Sequence, residues 1–432
     1  MGKSPAGPRP ADQPPGFRVA PFTALRPAAG RAAETIAPPY DVVSTDEARA
    51  RVADRPHDFL RVSLPEAAMP PEADPTAGER YRAARCSLDD FLAQGTIAPD
   101  VQPAYYVYRV ASGSHAQTGV VLLVSVDCYR AGTLRRHELT RPDKETDRAL
   151  LIQALEAQTG LVMLAHRRHF DLAAVIEEAT QAEPECRTSL SQDGAVTEHS
   201  VWPVRDAVAV ARITQAVAEL GELFIADGHH RVAAGNRAAE AFSGRPEAQW
   251  LLGATFPAEE LRILDYNRVV TSLNGHTPRA FLAALNESFE VAPSSGAARP
   301  GRAGEFGLYL SGGWHRARLR AGLTPDNDPV GSLDVSLLGE HLLAPILGIE
   351  DSRTDPRIDF VGGARGLAEL ERRVDSGDAT VAIALYPTPM QALMDVAGAG
   401  EIMPPKSTWF EPKLADGLLA YSWATEVIEN VR

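Results

Sequence analysis

Apolar positions along the chain follow both helical and strand-like spacings, which predicts a mixed α/β fold. Apolar residues recur at helical spacing in three well-defined segments, residues 78–94, 207–220 and 231–242. Alternating or continuous apolar runs of strand length occur at residues 105–110, 119–126, 223–226 and 250–256. The first two of these runs flank a polar turn at residues 112–114, so they are predicted to form a β-hairpin. The polar stretch 181–200 is predicted to be a loop or a hairpin.

Further along, helical and strand patterns alternate, and composition suggests how the chain divides. Residues 1–16 contain five prolines among small polar residues, which predicts a disordered tail. A Pro/Gly-rich stretch near residues 297–303 suggests a soft boundary. We therefore expect a catalytic region at residues 17–290 and a C-terminal α/β region at residues 291–432.

Composition narrows the classes of protein that need to be considered. With 432 residues, 44% hydrophobic content and a net charge of −14, the chain resembles a globular protein without the basic face that a nucleic-acid binder requires. No apolar run approaches the roughly 18 residues of a membrane span, and the first residues lack a secretory apolar region. Three cysteines without a CxxC spacing suit a reducing compartment. A cytoplasmic location is expected.

One segment combines a strand, a tight turn and a helix in a way that favours anion binding. The apolar run 223–226 leads into Asp227-Gly228-His229-His230-Arg231, and an alanine-rich helix follows. Free N–H groups at a helix N-terminus, with an arginine in the first turn, can hold phosphate. Adjacent histidines on a helix diverge by about 100°, so a shared zinc ion is disfavoured. The alternative is that Asp227 caps the helix and the histidines pack in the core.

Two other polar segments offer catalytic groups. His137 and Glu138 precede a charged stretch that contains Arg148; this pair can supply a general base or a magnesium ligand, or can belong to a solvated loop. A proline-rich loop near the C-terminus holds Lys406-Ser407-Thr408 and Lys413, although it is not a Walker A loop. The chain has only four lysines, and three of them lie in these two segments.

Several of these segments, taken in order, resemble a known family. They are Ala37-Pro-Pro-Tyr-Asp-Val-Val-Ser44, His137-Glu-x-Thr140 with Asp147-Arg148, Ala226-Asp-Gly-His-His-Arg231, Asn267-Arg-Val-Val270, and Met403-Pro-Pro-Lys-Ser-Thr408 with Pro412-Lys413. This series resembles the bacterial and archaeal "domain of unknown function 1015" family from about Phe17 to the C-terminus. The resemblance does not itself name a reaction.

A more distant resemblance suggests a reaction. The Asp-Gly-His-His-Arg segment is similar to the Asp-Gly-His-x-Arg segment of the ParB/sulfiredoxin superfamily, which includes nucleotide-dependent kinases of free serine. It implies a ParB/sulfiredoxin-like core with large α/β elaborations, and a nucleotide, ATP or ADP with Mg²⁺, bound beside that segment. The resemblance does not decide which nucleotide is bound, ATP, ADP or CTP. It also does not decide whether the chain forms a homodimer.

The resemblance also implies roles for individual residues. A catalytic set is expected, with Glu138 as the base, together with His137, Asp227 and His230. Phosphate contacts are expected from Gly228, His229, Arg231, Arg148, Lys406, Ser407 and Thr408. Tyr40, Asp41 and Lys413 are expected to contact a small hydroxy-metabolite, and Asp227 to meet magnesium through the phosphates. The alternatives are a nucleotide-binding switch, or a phosphatase or lyase acting on a phosphorylated small molecule.

Overall fold

The computed structural model describes residues 17–70, 76–192 and 195–424. The predicted tail at residues 1–16 lies outside these residues. The chain forms two compact units, one comprising residues 1–261 and 412–432 and the other residues 262–411. The sequence had suggested a boundary near residue 290, inside the second unit. The difference arises because the apolar run after Asp265 is a strand of the second unit's sheet.

The strands, in chain order, are β1 (Val19–Ala20), β2 (Leu25–Pro27), β3 (Ile97–Pro99), β4 (Tyr105–Ser112), β5 (His115–Ser125), β6 (Leu134–Arg135), β7 (Ala157–Gln158), β8 (Val162–His166), β9 (Cys186–Gln192), β10 (Ala195–Val204), β11 (Leu223–Asp227), β12 (Trp250–Pro257), β13 (Ile263–Leu264), β14 (Tyr266–Val270), β15 (Phe289–Ser294), β16 (Glu305–Leu310), β17 (Gly313–Leu319), β18 (Ile358–Gly362), β19 (Val381–Ala384), β20 (Trp409–Phe410) and β21 (Tyr421–Ser422).

The α-helices are α1 (Ala32–Thr35), α2 (Thr45–Ala53), α3 (Leu60–Ser63), α4 (Ala77–Ala93), α5 (Val126–Arg130), α6 (Pro142–Leu155), α7 (Phe170–Thr180), α8 (Ala207–Leu220), α9 (His229–Ala241), α10 (Pro278–Leu285), α11 (Asp334–Leu338), α12 (Gly366–Asp375) and α13 (Met390–Gly398). A π-helical segment, Gly339–Leu343, continues α11.

The first unit is built on a mixed sheet in the order β6-β11-β8-β12-β5-β4-β10-β9, with β1 also paired to β5. Two pairs are parallel, β6 with β11 and β8 with β12, and the others are antiparallel. Buried side chains from β5, β8, β11 and the packed helices α7 and α8 form one core. A second core joins α2, α3, α4 and α6. The helix α6 packs on α9, which follows β11.

The second unit contains a six-stranded antiparallel sheet in the order β15-β17-β16-β19-β14-β18. Its main core lies between this sheet and the segment formed by α10, α11 and the π-helix. A smaller core lies against α12.

These observations confirm the predicted mixed α/β fold. Among the helices in the described part of the chain, none combines the length and the apolar run needed to cross a bilayer. The stretch 181–200 belongs to the hairpin β9–β10 rather than to a loop. The helix α10 ends at Leu285, and Phe289 is buried as the first residue of β15.

Candidate functional site

The turn between β11 and α9 is held by the backbone of Gly228. This glycine has φ +99°, a left-handed conformation that other residues adopt only with strain. A Cβ atom there would lie 3.5 Å from the Cα of Val162, on the neighbouring strand β8. Helix geometry leaves the first N–H groups of α9 without intrahelical partners. The turn therefore presents backbone donors and the positive end of the helix dipole at the end of β11.

The parallel pairing of β6 with β11 brings Glu138 to this turn. Because carboxyl ends of parallel strands lie at the same edge of a sheet, the residues after Arg135 lie beside those after Phe224. A Glu138 carboxylate oxygen is 3.9 Å from Nδ1 of His229, and the Glu138 side chain is 42% exposed. This carboxylate is thus held beside the turn and remains accessible.

Two buried histidines, His137 and His229, lie next to Glu138. The rings of His137 and His229 meet edge to face, with centroids 4.4 Å apart. The backbone N–H of His137 donates to Nε2 of His229 over 3.3 Å, which places the His229 proton on Nδ1, on the side of Glu138. Burial lowers the pKa of His137 to about 4, although the nearby Ile225 backbone opposes this shift. Burial also lowers the pKa of His229 well below its usual value, with a contribution from His137. Both rings are therefore neutral at pH 7.

Lys413 supplies a cation at the same turn. Its Nζ lies 3.4 Å from a carboxylate oxygen of Asp227. Burial raises the pKa of Asp227, but Lys413, Arg231 and His229 lower it more, so the pKa of this carboxyl falls well below its usual range. Asp227 is therefore ionised at neutral pH. The pair places one charge of each sign beside the backbone donors of α9.

Arg231 links the turn to the Tyr40–Asp41 segment. One of its terminal nitrogens donates to an Asp41 carboxylate oxygen at 2.9 Å, and another donates to the carbonyl of Leu161. Its pKa is raised because Asp41 and Asp227 outweigh the effect of burial. The segment is fixed locally by Ser44, whose side chain accepts from the N–H of Glu47 in a capping box at the start of α2.

A polar cavity opens beside Arg231. The guanidinium of Arg148 lies 4.3 Å from the centre of the Tyr40 ring, that of Arg231 lies 6.0 Å away, and all three line the cavity with Asp416. It is small, with a volume of about 40 Å³. A Cβ atom on Gly160 would lie 3.3 Å from Arg231 and 3.4 Å from Asp416, so glycine permits this close packing.

Asp416 is a residue that the sequence analysis missed. It is 3% exposed, and its Oδ2 has no hydrogen-bond partner among the residues described. Burial raises its pKa to about 7, while Arg231 opposes this shift. The only signal in the sequence was its position three residues after Lys413. Its backbone bridge to Ala37 carries it into the cavity.

The remaining predicted site residues make contacts other than those described so far. Nε2 of His230 accepts a hydrogen bond from the N–H of Arg141 at 3.0 Å, which joins α9 to the start of α6. Lys406, Ser407 and Thr408 belong to the second unit. There the Ser407 hydroxyl donates to the carbonyl of Pro404 at 2.6 Å and is buried, whereas Lys406 is exposed.

A metal ion has one candidate set of ligands in the described part of the chain. Ligand atoms of His137, Glu138 and His229 lie within 4.8 Å of one another. Coordination through Nδ1 of His229 would put its proton on Nε2 and break the hydrogen bond from His137. Asp227, the predicted magnesium contact, is outside this cluster and faces Lys413.

Sequence comparison assigns the chain to a family. The family model described as "Protein of unknown function (DUF1015)" matches residues 19–336. The chain belongs to this family. The description of this family names no reaction. No curated protein matches the chain.

Comparison with solved structures finds matches that share little sequence with this DUF1015 protein. A free serine kinase in complex with AMP has a TM-score of 0.34 and 12% identity, covering 67% of this chain and 86% of its own. SbnI with a C-terminal truncation, from Staphylococcus aureus, has a TM-score of 0.37 and 11% identity, covering 72% and 93%. A conserved hypothetical protein from Pyrococcus furiosus has a TM-score of 0.32 and 14% identity, covering 68% and 93%.

Proposed function

We propose that this protein is a nucleotide-dependent kinase that phosphorylates the hydroxyl group of a small metabolite, with free L-serine as the first acceptor to test. The observation that carries the proposal is the accessible Glu138 carboxylate held beside the backbone donors of the Gly228 turn. A base next to an anion site is the arrangement that phosphoryl transfer to an alcohol requires.

In this proposal the turn binds the phosphates. The N–H groups at the start of α9, with Arg231 and Lys413, offer donors and positive charge. The acids now paired with these cations, Asp41 and Asp227, offset their charge when no nucleotide is bound. Magnesium bound with the nucleotide would neutralise part of the phosphate charge, and the ionised Asp227 is the residue here suited to meet it.

Glu138 acts as the base in the reaction we propose. The acceptor oxygen attacks the terminal phosphorus, its proton passes to the Glu138 carboxylate, and the shortened nucleotide leaves. The neutral His229, with its proton directed toward Glu138, orients this carboxylate. The His137 ring packs edge to face against the His229 ring and helps to hold it in place.

The cavity beside Arg231 suits a small zwitterion as the acceptor. Asp416 offers a buried carboxylate to an ammonium group, and the guanidinium groups of Arg148 and Arg231 attract a carboxylate. A hydroxy amino acid such as L-serine carries both groups. The charged groups around the cavity therefore favour L-serine over an uncharged alcohol as the acceptor.

The proposal is tested by a thermal-shift screen of ATP, ADP and CTP with magnesium, followed by incubation with hydroxy amino acids and mass spectrometry. A stabilising nucleotide and a phosphorylated amino acid are the expected results. Stabilisation without product would favour a nucleotide-binding switch. Conversion of added phosphoserine in the absence of nucleotide would favour a phosphatase or lyase. The absence of any shift would contradict the phosphate site itself.

Replacing Lys413 by methionine should weaken nucleotide binding about tenfold or more. The change removes a charged donor and leaves the Asp227 carboxylate to repel phosphate. Calorimetric titration measures the dissociation constant. The matched control is Arg130→Met, a surface residue that donates to Asn236, and it should bind normally. Equal affinities in both variants would exclude Lys413 from the site.

Replacing Asp416 by asparagine should change acceptor preference. We expect kcat/KM for L-serine to fall about 10- to 100-fold, since a charge-assisted hydrogen bond to the ammonium is lost. Phosphorylation of glycerate, which lacks the ammonium, should change little. Steady-state kinetics on both acceptors gives the ratio. A parallel loss on both would show that Asp416 does not read the amino group.

A further inference from the structure

Arg268 is a buried cation in the second unit's sheet, on the strand next to the edge strand β18. It lies on β14, between β19 and β18, and is only 3% exposed. Within the described ranges no carboxylate lies within 4.0 Å of its guanidinium; the ion pairs of this unit involve other arginines. A charge removed from water without a counter-charge is costly, so proteins keep few of them.

The surroundings of Arg268 hold its side chain without neutralising it. One terminal nitrogen donates to the carbonyl of Tyr266 and the other to that of Lys406, at 3.0 Å in the second case. The guanidinium lies 5.9 Å from the centre of the Tyr266 ring and 5.2 Å from that of Phe360. A guanidinium has five N–H donors, so these contacts orient it and leave donors for another acceptor.

A cavity of about 250 Å³ opens at this guanidinium. The π-helical segment Gly339–Leu343 forms part of its wall, and Ser336 and Ser352 add hydroxyl groups. Single π-helical turns are uncommon and occur frequently at functional sites. Two exposed carboxylates, those of Glu340 and Glu350, also line the cavity.

The loop that meets Arg268 carries backbone strain. Lys406 has φ +58°, although it is not glycine, and its carbonyl is the one that accepts from Arg268. Its Nζ lies 5.6 Å from the centre of the Tyr266 ring, the ring that Arg268 also approaches. Strained conformations of this kind persist where surrounding contacts hold them, often at ligand sites. Two cations are therefore kept around one aromatic ring.

We propose that Arg268 forms a second oxyanion site, distinct from the Gly228 turn, that binds a small carboxylate or phosphate group in this cavity. Glu340 and Glu350 would oppose a highly charged ligand, so a singly charged group or a zwitterion suits the cavity better than a nucleotide triphosphate. The site consists of residues of the second unit alone. The proposal therefore does not depend on the proposed kinase activity.

The proposal is tested by the thermal shift of the full chain with inorganic phosphate and, separately, with acetate at equal ionic strength. Chloride serves as the reference anion. We expect at least one of the two oxyanions to stabilise the protein, and the response to identify phosphate or carboxylate as the preferred group. The shift should be clearly reduced in Arg268→Gln, in which the first unit's anion site still binds phosphate, and it should persist in Lys413→Met, which alters only that first site. Arg279→Gln, an exposed arginine of α10, is the matched control and should respond like the wild type.

The variants also separate a ligand site from a structural one. Should Arg268→Gln fold poorly, Glu340→Gln provides a second measurement, because removing a negative charge from the cavity should strengthen oxyanion binding severalfold. Retention of the full shift in Arg268→Gln, or its loss in Lys413→Met, would overturn the proposal. So would the absence of a response to both oxyanions in the wild type.

Discussion

Replacing Glu138 by glutamine should lower kcat about 10²- to 10⁴-fold while the nucleotide still binds normally. Glutamine keeps the size of the side chain but cannot take the proton of the acceptor hydroxyl, and general-base catalysis contributes a factor of this order. Single-turnover measurement of phosphorylated product gives the rate, and calorimetric titration gives the nucleotide affinity. A selective loss of the rate identifies a group that acts on the proton rather than on binding.

The matched control is Glu240→Gln on the exposed face of α9, where the carboxylate contacts Asn236. This variant should retain wild-type turnover. Full activity in Glu138→Gln would show that the base assignment is wrong. A loss of nucleotide binding in that variant would instead point to a structural role for the carboxylate.

Lowering the pH from 8 to 4.5 should reduce the free energy of unfolding by several kcal/mol, because burial lowers the pKa of four histidines, His137, His166, His199 and His229. Burial lowers the pKa of His137 and His166 to about 4 and that of His199 to about 3. These histidines therefore bind protons near pH 6.5 in the unfolded chain but only at lower pH in the folded chain. Their contribution to the stability of the folded protein is complete above pH 6.5 and is lost as the pH falls. His137, His166 and His199 each account for about 2.5 kcal/mol at pH 4.5.

Asp416 acts in the opposite direction. Its folded pKa of about 7 lies above the usual value for aspartate, so the folded chain gains protons first and this residue stabilises the protein by about 3 kcal/mol at pH 4.5. The four histidines together outweigh it. Urea unfolding at both pH values measures the difference.

A histidine variant checks the origin of this acid sensitivity. In His199→Gln the difference between the two pH values should shrink by about 2.5 kcal/mol, since His199, which bonds the Tyr108 hydroxyl at 2.7 Å, no longer titrates. The exposed His276→Gln should leave the difference unchanged. An unchanged difference in His199→Gln would mean that other groups cause the acid response.

Local patterns predicted much of the fold because they reflect local causes. The apolar spacing of residues 78–94 marks α4, and the polar turn at residues 112–114 marks the hairpin β4–β5. The division into units was harder to predict, since it depends on which strands pair across long sequence separations. Nothing in the local pattern of residues 266–270 shows that they pair with Ile358–Gly362.

The candidate site was only partly accessible to the same reasoning. Residues 227–231 could be recognised as a turn suited to anion binding, because strand, glycine and helix follow one another in the chain. The approach of Glu138 depends on β6, a strand of two residues that carries almost no pattern of its own. Asp416 was missed because its importance comes from burial beside Arg231, which no spacing in the sequence encodes. Arg268 was noted within a motif, but its lack of a counter-charge is a property of the folded unit.

The order in which the first unit is encoded has a consequence for its synthesis. Its chain leaves at Leu261 and returns at Pro412, so Lys413 and Asp416 reach the ribosome exit only after the whole of Arg262–Glu411 has been made. Translation adds about 5–20 residues per second, so β11 and α9 exist for many seconds before their last partners arrive. A nascent chain therefore cannot complete the cavity beside Arg231 before residues 413–416 emerge, and a chain truncated before them would lack it.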